Sequence, residues 1–411
     1  MLKKSQCFII ELVIKVEDKV IFHIDINNAF LSWTAVKLLK DGYEKDIRTI
    51  PSIIGGDEEK RHGIVLAKSP IAKKYGIKTA ETIYSARKKC STLEIFPPDM
   101  EYYHEMSNTF FNYLSKYTPT IEKLSVDECF MDMSNSSLLY EDLVMLAYQI
   151  KDEVYSLYGF TVNIGISSSK ICAKMASDME KPNKVHTLFP NEIKQKMWPL
   201  PVDDLYMVGK HAAEKLHNMG IHTIGDLANT DEKKLIKVFN KHGTTMWNYA
   251  NGRSDEFSTK GDEKNKCISI SETFSTDIAE KNKLLQILFQ QVDSLCKDLR
   301  KQKLYTNTIA ITYKTSEFIS YSKQMTISTV TNSTEEISKY IINLLDQSWN
   351  NEKLRNIGVR FSNLTDKKQK QISIFTNNIQ EEKDDTIQET MDKINDKYGS
   401  SVIRQANLFT K

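Results

Sequence analysis

"VIFHIDINNAF", residues 20–30, is a β-branched and aromatic run that ends in a polar Asp-x-Asn-Asn turn and passes into the helix-like "AFLSWTAVKLL". That pattern predicts a buried strand feeding a helix, with Asp25 at the strand's carboxyl end. A second stretch, "KLSVDECFMD" (123–132), sets Asp127 and Glu128 side by side among Leu124, Val126, Cys129, Phe130 and Met131. A buried carboxylate without a partner costs several kcal/mol or more, so these acids need a counterpart elsewhere in the chain.

The intervening sequence has a Gly-rich turn, "GGDEEKRHG" (55–63), a strand "IVLA" (64–67), and short helices in "SPIAKKYGIKTAETIYSARKKC" (69–90) separated by Gly76. Tyr103, Met106, Phe110, Tyr113 and Leu114 fall at helical spacing over 101–117, and a second helix is expected over roughly 137–158, before "FTVNIGISSSKICAKMAS". The order strand, helix, strand pair, helix, strand is the split βαβ arrangement of a ferredoxin-like domain. On that layout Asp25 and the Asp127–Glu128 turn meet on one sheet.

Beyond Pro199 and Pro201 the texture changes to short amphipathic helices, and "VGKHAAEKLHNMGIHTIGDLA" (208–228) resembles a helix-hairpin-helix unit. Strands and helices alternate again from Cys267 to "LRNIGVRFSNL". Residues 376–404 read as polar linker with some helix in "DTIQETMDKINDKYG", and the closing "RQANLFTK" regains apolar character.

At 411 residues, two to four domains are expected. The charge balance is nearly even, 56 Lys+Arg against 54 Asp+Glu, so basic faces must be sought regionally, as in "KKYGIK", "ARKK", "LRKQK" and "DKKQKQ". Six cysteines in no CxxC or zinc-ligand spacing point to a reduced, cytoplasmic protein. The start "MLKKSQCFIIELVIKV" is interrupted by Glu11 and lacks a small-residue cleavage site, so neither a signal peptide nor a membrane span is expected.

Three carboxylates converging on one sheet repel unless divalent cations sit among them. Hard, partly exposed oxygen ligands suit Mg²⁺ shared with substrate phosphates. Two such ions can activate a primer 3′ hydroxyl and neutralise a pyrophosphate leaving group. An isolated Asp-Glu pair more often caps a turn or pairs with lysines, so the dipeptide alone carries little weight.

The combination carries more. "FHIDINNAF", "SVDECF", "GISSSKICAKMASDMEKPN" and the hairpin unit, in this order and over Val20–Leu364, resemble a Y-family translesion DNA polymerase of the bacterial DinB/UmuC type. The resemblance implies an α+β right-hand polymerase. Residues 20–31 and 98–200 would form a ferredoxin-like palm, 32–97 small fingers, 201–262 a helix-hairpin-helix thumb and 263–376 a C-terminal little finger. Residues 1–19 would be an extension and 377–411 a linker with a clamp-binding tail.

By the same resemblance, Asp25, Asp127 and Glu128 hold two Mg²⁺ ions with the carbonyl of Ile26, and Asn27, Asn28, Ala29 and Phe30 lie under the incoming nucleotide. Phe30 occupies the steric-gate position, where an aromatic ring leaves no room for a ribose 2′ hydroxyl. Lys73 and Lys181 match the triphosphate-binding positions, and Gly209 with Lys210 the DNA-binding hairpin turn. The chain departs from the DinB pattern at Pro70 and Lys73, where a Tyr and an Arg are usual, and at Met207, where a Gly is usual; Lys73 is closer to the UmuC pattern. Gln405, Leu408 and Phe409 of "QANLF" match the motif that docks bacterial polymerases on the sliding clamp, the beta subunit. A monomer acting on primer-template DNA and deoxynucleotides is implied.

Two other readings compete. "GGDEEK" (55–60) resembles the GGDEF signature of diguanylate cyclases, but Glu59 replaces the phenylalanine and a cyclase has no use for the hairpin unit. A clamp-tethered scaffold without catalysis would not need all three carboxylates.

Overall fold

The computed structural model describes residues 19–57, 63–254 and 266–367, together with 387, 390–394, 397–399 and 402–403. The chain divides into two compact units, 1–56 with 63–259, and 57–62 with 260–411.

In the first unit, β1 (Ile21–Ile26) leads into α1 (Ala29–Lys40), followed by β2 (Ser52–Gly55), β3 (Val65–Lys68), α2 (Pro70–Lys74), α3 (Ile83–Lys89) and β4 (Glu94–Phe96). Next come α4 (Met100–Leu114), β5 (Ile121–Lys123), β6 (Glu128–Asp132), α5 (Leu143–Tyr158), β7 (Val162–Ser167), α6 (Lys170–Met179) and β8 (Val185–Thr187). Strands β5-β6-β1-β7-β8 form one sheet and β3-β2-β4 a smaller one.

β1 is antiparallel to both β6 and β7, at the centre of the larger sheet. It is buried on both faces, and its alternation divides the work. Val20, Phe22, Ile24 and Ile26 enter the core shared with Trp33, Tyr103, Phe110, Leu146 and Ile150, which lie on α1, α4 and α5. On the other face Ile21 packs with Phe130 and Ala173, placing α6 over the strand. Gly165 permits this close approach: a Cβ there would lie 1.9 Å from the Ala173 carbonyl oxygen and 2.5 Å from the Ser177 amide.

The helix expected from about 137 begins later. Residues 134–138 form a 3₁₀ turn, and Asp142 caps α5 by accepting from the amides of Val144 and Met145. Pro70 also has a local explanation, since it is the first residue of α2 behind the Ser69 cap, where a missing N–H costs nothing.

The unit continues with α7 (Ile193–Lys196), α8 (Lys210–Asn218), α9 (Ile224–Ala228), α10 (Glu232–Phe239) and α11 (Lys241–Ala250). Gly220, at φ +77°, makes the turn between α8 and α9, and a reciprocal Thr223–Asp226 capping box starts α9. Leu216, Ile224, Leu227, Leu235 and Met246 close a core around this helical pair that extends to Ile171, Cys172 and Met175 of α6.

The second unit is a four-stranded antiparallel sheet, β11-β10-β12-β9, built from β9 (Cys267–Ile278), β10 (Thr306–Thr315), β11 (Ser320–Thr331) and β12 (Leu354–Ser362). The helices α12 (Lys281–Lys301) and α13 (Thr334–Ser348) cover it through Leu288, Val292, Ile337 and Ile341 against Ile309, Ile311, Ile357 and Val359. Asp392, in the segment read as linker with some helix, is held bidentately by Arg300 of α12 at 2.6 and 3.1 Å. Cys90, Cys129, Cys172, Cys267 and Cys296 are free thiols. Among the described residues no helix is long and apolar enough to cross a membrane.

Candidate active site

Asp25 sits one residue before the end of β1 and is the register partner of Glu128, the first residue of β6. The Ile26 amide donates to the Asp127 carbonyl at 3.0 Å, so the turn carrying Asp127 is stitched to the end of β1. The sheet thus gathers the three acids from positions a hundred residues apart.

Each carboxylate has one oxygen engaged by the protein. Lys181 grips Oδ2 of Asp25 and also lies 2.8 Å from Asp178. The Ser125 hydroxyl binds Oδ1 of Asp127. Oε2 of Glu128 receives the Lys174 ammonium at 2.5 Å and faces His23 Nε2 at 3.3 Å. Oδ1 of Asp25, Oδ2 of Asp127 and Oε1 of Glu128 make no hydrogen bond among the described residues.

The electrostatics follow from this arrangement. Burial, reinforced by the charges of Asp25 and Glu128, pushes the Asp127 carboxyl above its ordinary range against the pull of Ser125. Glu128 is held down to about 2, first by the facing His23 ring and then by Lys174, against the opposing effect of burial. Burial works against the Lys174 and Lys181 ammonium groups, but the surrounding carboxylates outweigh it and raise both.

As the side chains stand, no group of three or more His, Cys, Asp and Glu among the described residues is arranged to hold a metal ion. The donor set nevertheless fits hard divalent cations. It consists of three carboxylates with one bare oxygen apiece, one of them still short of compensating charge, beside two ammonium groups that offset the rest.

Asn27 and Asn28 organise the turn after β1. The Asn27 side chain accepts from the Asn183 amide at 2.8 Å and donates to Asn163 at 3.1 Å. Buried Asn163 also donates to the carbonyls of Ser177 and Glu180, at 2.9 and 2.6 Å. This polar hub fixes the segment that carries Lys181. Asn28, at φ 53° before α1, donates to the Lys68 carbonyl at 2.7 Å and ties the turn to β3.

Ala29 and Phe30 open α1, and the Phe30 ring stacks on Tyr103 with centroids 4.8 Å apart and planes 16° from parallel. Lys73 is exposed in the last turn of α2. Burial and the charge of Lys73 lower the neighbouring Lys68 ammonium. Gly209 and Lys210 are exposed at the start of α8, with open space where a Gly209 Cβ would point. Met207 adopts φ +73°, the left-handed conformation in which glycine is the natural occupant. Gln405, Leu408 and Phe409 lie outside the described residues, as do Glu58, Glu59 and Lys60 of "GGDEEK".

Sequence reasoning missed His23, Lys174, Asn163 and Ser177. A signal for Lys174 existed: Lys174 and Asp178 stand four apart on α6, with Lys181 just beyond the end of the helix.

Comparison with known proteins decides the family. Residues 24–178 match the impB/mucB/samB family, 190–221 the IMS family HHH motif and 265–374 the impB/mucB/samB family C-terminal domain. A protein named DNA polymerase IV from Clostridium acetobutylicum is 44% identical over 96% of this chain and 99% of its own length. The chain belongs to the Y family of DNA polymerases. DNA polymerase IV 1 of Bacillus subtilis is 30% identical over 96% of this chain and 94% of its own length. A solved Y-family DNA polymerase chimera, Dbh-Dpo4(243-245)-Dbh, has the same fold, with a TM-score of 0.71 over 84% of this chain and 98% of that one at 21% identity. Family membership sets aside the cyclase reading of "GGDEEK".

Proposed function

We propose that this Y-family chain extends a primer opposite damaged template bases, with two Mg²⁺ ions held by Asp25, Asp127, Glu128 and the carbonyl of Ile26. The observation that carries the reading is the bare oxygen on each of three carboxylates at one end of one sheet. Bound there, the ions would acidify the primer 3′ hydroxyl and neutralise the pyrophosphate leaving group.

The chain's own residues supply the rest. Lys181 and Lys73 hold the triphosphate; Lys181 would move from Asp25 to the phosphates as cations take over the carboxylate. Asn27, Asn28 and Ala29 form the floor beneath the nucleotide, and Phe30, braced on Tyr103, excludes a 2′ hydroxyl. Gly209 and Lys210 bind the DNA backbone. The assignments of palm, fingers, thumb and little finger to 20–31 with 98–200, 32–97, 201–262 and 263–376 belong to the same reading. Small fingers would cover the nascent pair loosely, giving low fidelity and tolerance of lesions. The tail would tether the enzyme to the sliding clamp, and the protein would act as a cytoplasmic monomer.

The test is primer extension with purified protein, Mg²⁺ and dNTPs on intact and abasic templates. Extension on both, lost on chelation, is expected. Absence of any Mg²⁺-dependent incorporation would overturn the proposal.

A further inference from the structure

We propose that His23 is a positioning residue for Glu128, donating from Nε2 to Oε2 and so presenting Oε1 to the cation; this rests on the metal-site reading above. His23 is fully buried on β1, two residues before Asp25 and on the same face of the strand. Its register partners are Phe130 and Gly165, and its ring meets Phe130 edge-on at 4.9 Å. Nδ1 lies 2.8 Å from the Ser177 hydroxyl. Buried Nε2 faces Glu128 at 3.3 Å, without well-formed hydrogen-bond geometry.

The tautomer follows from donor counting. A ring with a single N–H has to place it either on Nδ1, beside Ser177, or on Nε2, beside Glu128. The Ser177 hydroxyl has one proton and two acceptors in reach, His23 Nδ1 at 2.8 Å and the Lys174 carbonyl at 2.8 Å. Lys174 lies within α6, where the amide four residues on already serves its carbonyl. Sending the hydroxyl proton to Nδ1 leaves the ring proton on Nε2, aimed at Glu128. The reverse choice sets a bare lone pair against a carboxylate in a buried site.

Lys174 donates to the same oxygen, but the two donors differ in kind. An arriving cation repels the Lys174 ammonium, whose stem is flexible. His23 is fixed by its strand, so it stays and holds the carboxylate in one rotation. Ligand-orienting partners of this kind change metal affinity by roughly 10–100-fold.

The experiment uses the full chain bound to primer-template DNA. Mn²⁺ is titrated and followed by electron paramagnetic resonance for wild type, His23→Phe, which keeps an aromatic ring without a donor, and His23→Gln, which restores one. His23→Phe should weaken Mn²⁺ at least tenfold and lower kcat, with KM for dNTP within threefold and an unchanged thermal midpoint. His23→Gln should recover most of the affinity. In the metal-free wild type, imidazole ¹⁵N resonances should report the Nε2–H tautomer, a readout that needs no variant to fold. An Nδ1–H tautomer, or equal Mn²⁺ affinity in His23→Phe and wild type, overturns the positioning role alone. Absence of Mn²⁺ binding in wild type overturns the metal site with it.

Discussion

Asp25 and Glu128 are register partners across the antiparallel β1–β6 pair. Their side chains leave the sheet on the same face, and the turn before β6 adds Asp127 through the Ile26–Asp127 backbone hydrogen bond. Lys181 and Lys174 pair with the other two acids, whereas Asp127 has a single hydroxyl and the repulsion of its neighbours. Asp127→Asn should therefore abolish nucleotide transfer while leaving DNA binding near normal. Because its ionised form is disfavoured by burial, the thermal midpoint should stay level or rise. Extension within tenfold of wild type, measured in single-turnover assays, would remove Asp127 from the metal site.

Phe30 meets its support in Tyr103, whose hydroxyl is in turn 2.6 Å from Thr34 on α1. The ring is therefore held in place from below rather than free to swing aside. Phe30→Ala should raise the ratio of ribonucleotide to deoxynucleotide insertion at least tenfold, at a stability cost of about 1–3 kcal/mol from the lost stack and contact area. Single-nucleotide insertion with matched rNTP and dNTP measures the first effect and chemical denaturation the second. An unchanged ratio would refute the gate.

Met207 is a departure whose consequence is structural. Its φ of +73° costs a non-glycine residue about 1–2 kcal/mol, and the side chain is 54% exposed, so little packing offsets the strain. Met207→Gly should stabilise the thumb by about 0.5–1 kcal/mol after the added flexibility of the unfolded chain is counted. Differential scanning calorimetry checks this, and a lowered midpoint would show that Met207 packing outweighs its backbone strain.

Local patterns carried much of the fold. The run from Val20 to Ile26 had the composition of a doubly buried strand, and Asp25 could be placed at its end from the sequence alone. The start of α5 was misplaced by about six residues because periodicity blurs across the 3₁₀ turn at 134–138; Asp142 as the cap was the better guide. His23 read only as a strand residue. Its role depends on α6 crossing β1, which the absent Cβ of Gly165 permits, and no local signal encodes that crossing. The same holds for the hub of Asn27, Asn163 and Asn183, whose members are too far apart in sequence to be paired by pattern.

The tail supplies the last prediction. "QANLF" (405–409) follows a polar stretch and lies outside the described residues, while Asp392 upstream is anchored on α12 by Arg300. Docking through the tail would raise the effective concentration of enzyme at the primer end without fixing its orientation. Leu408 and Phe409 would fill an apolar pocket on the clamp, with Gln405 hydrogen-bonding at its rim. The competing reading packs Leu408 and Phe409 on the little finger itself. Under docking, Leu408→Ala with Phe409→Ala should erase stimulation by the clamp and leave clamp-free extension and thermal stability unchanged. Under packing, stability should fall by about 3–5 kcal/mol. Equal clamp-loaded extension by the double variant and wild type would rule out docking through this motif.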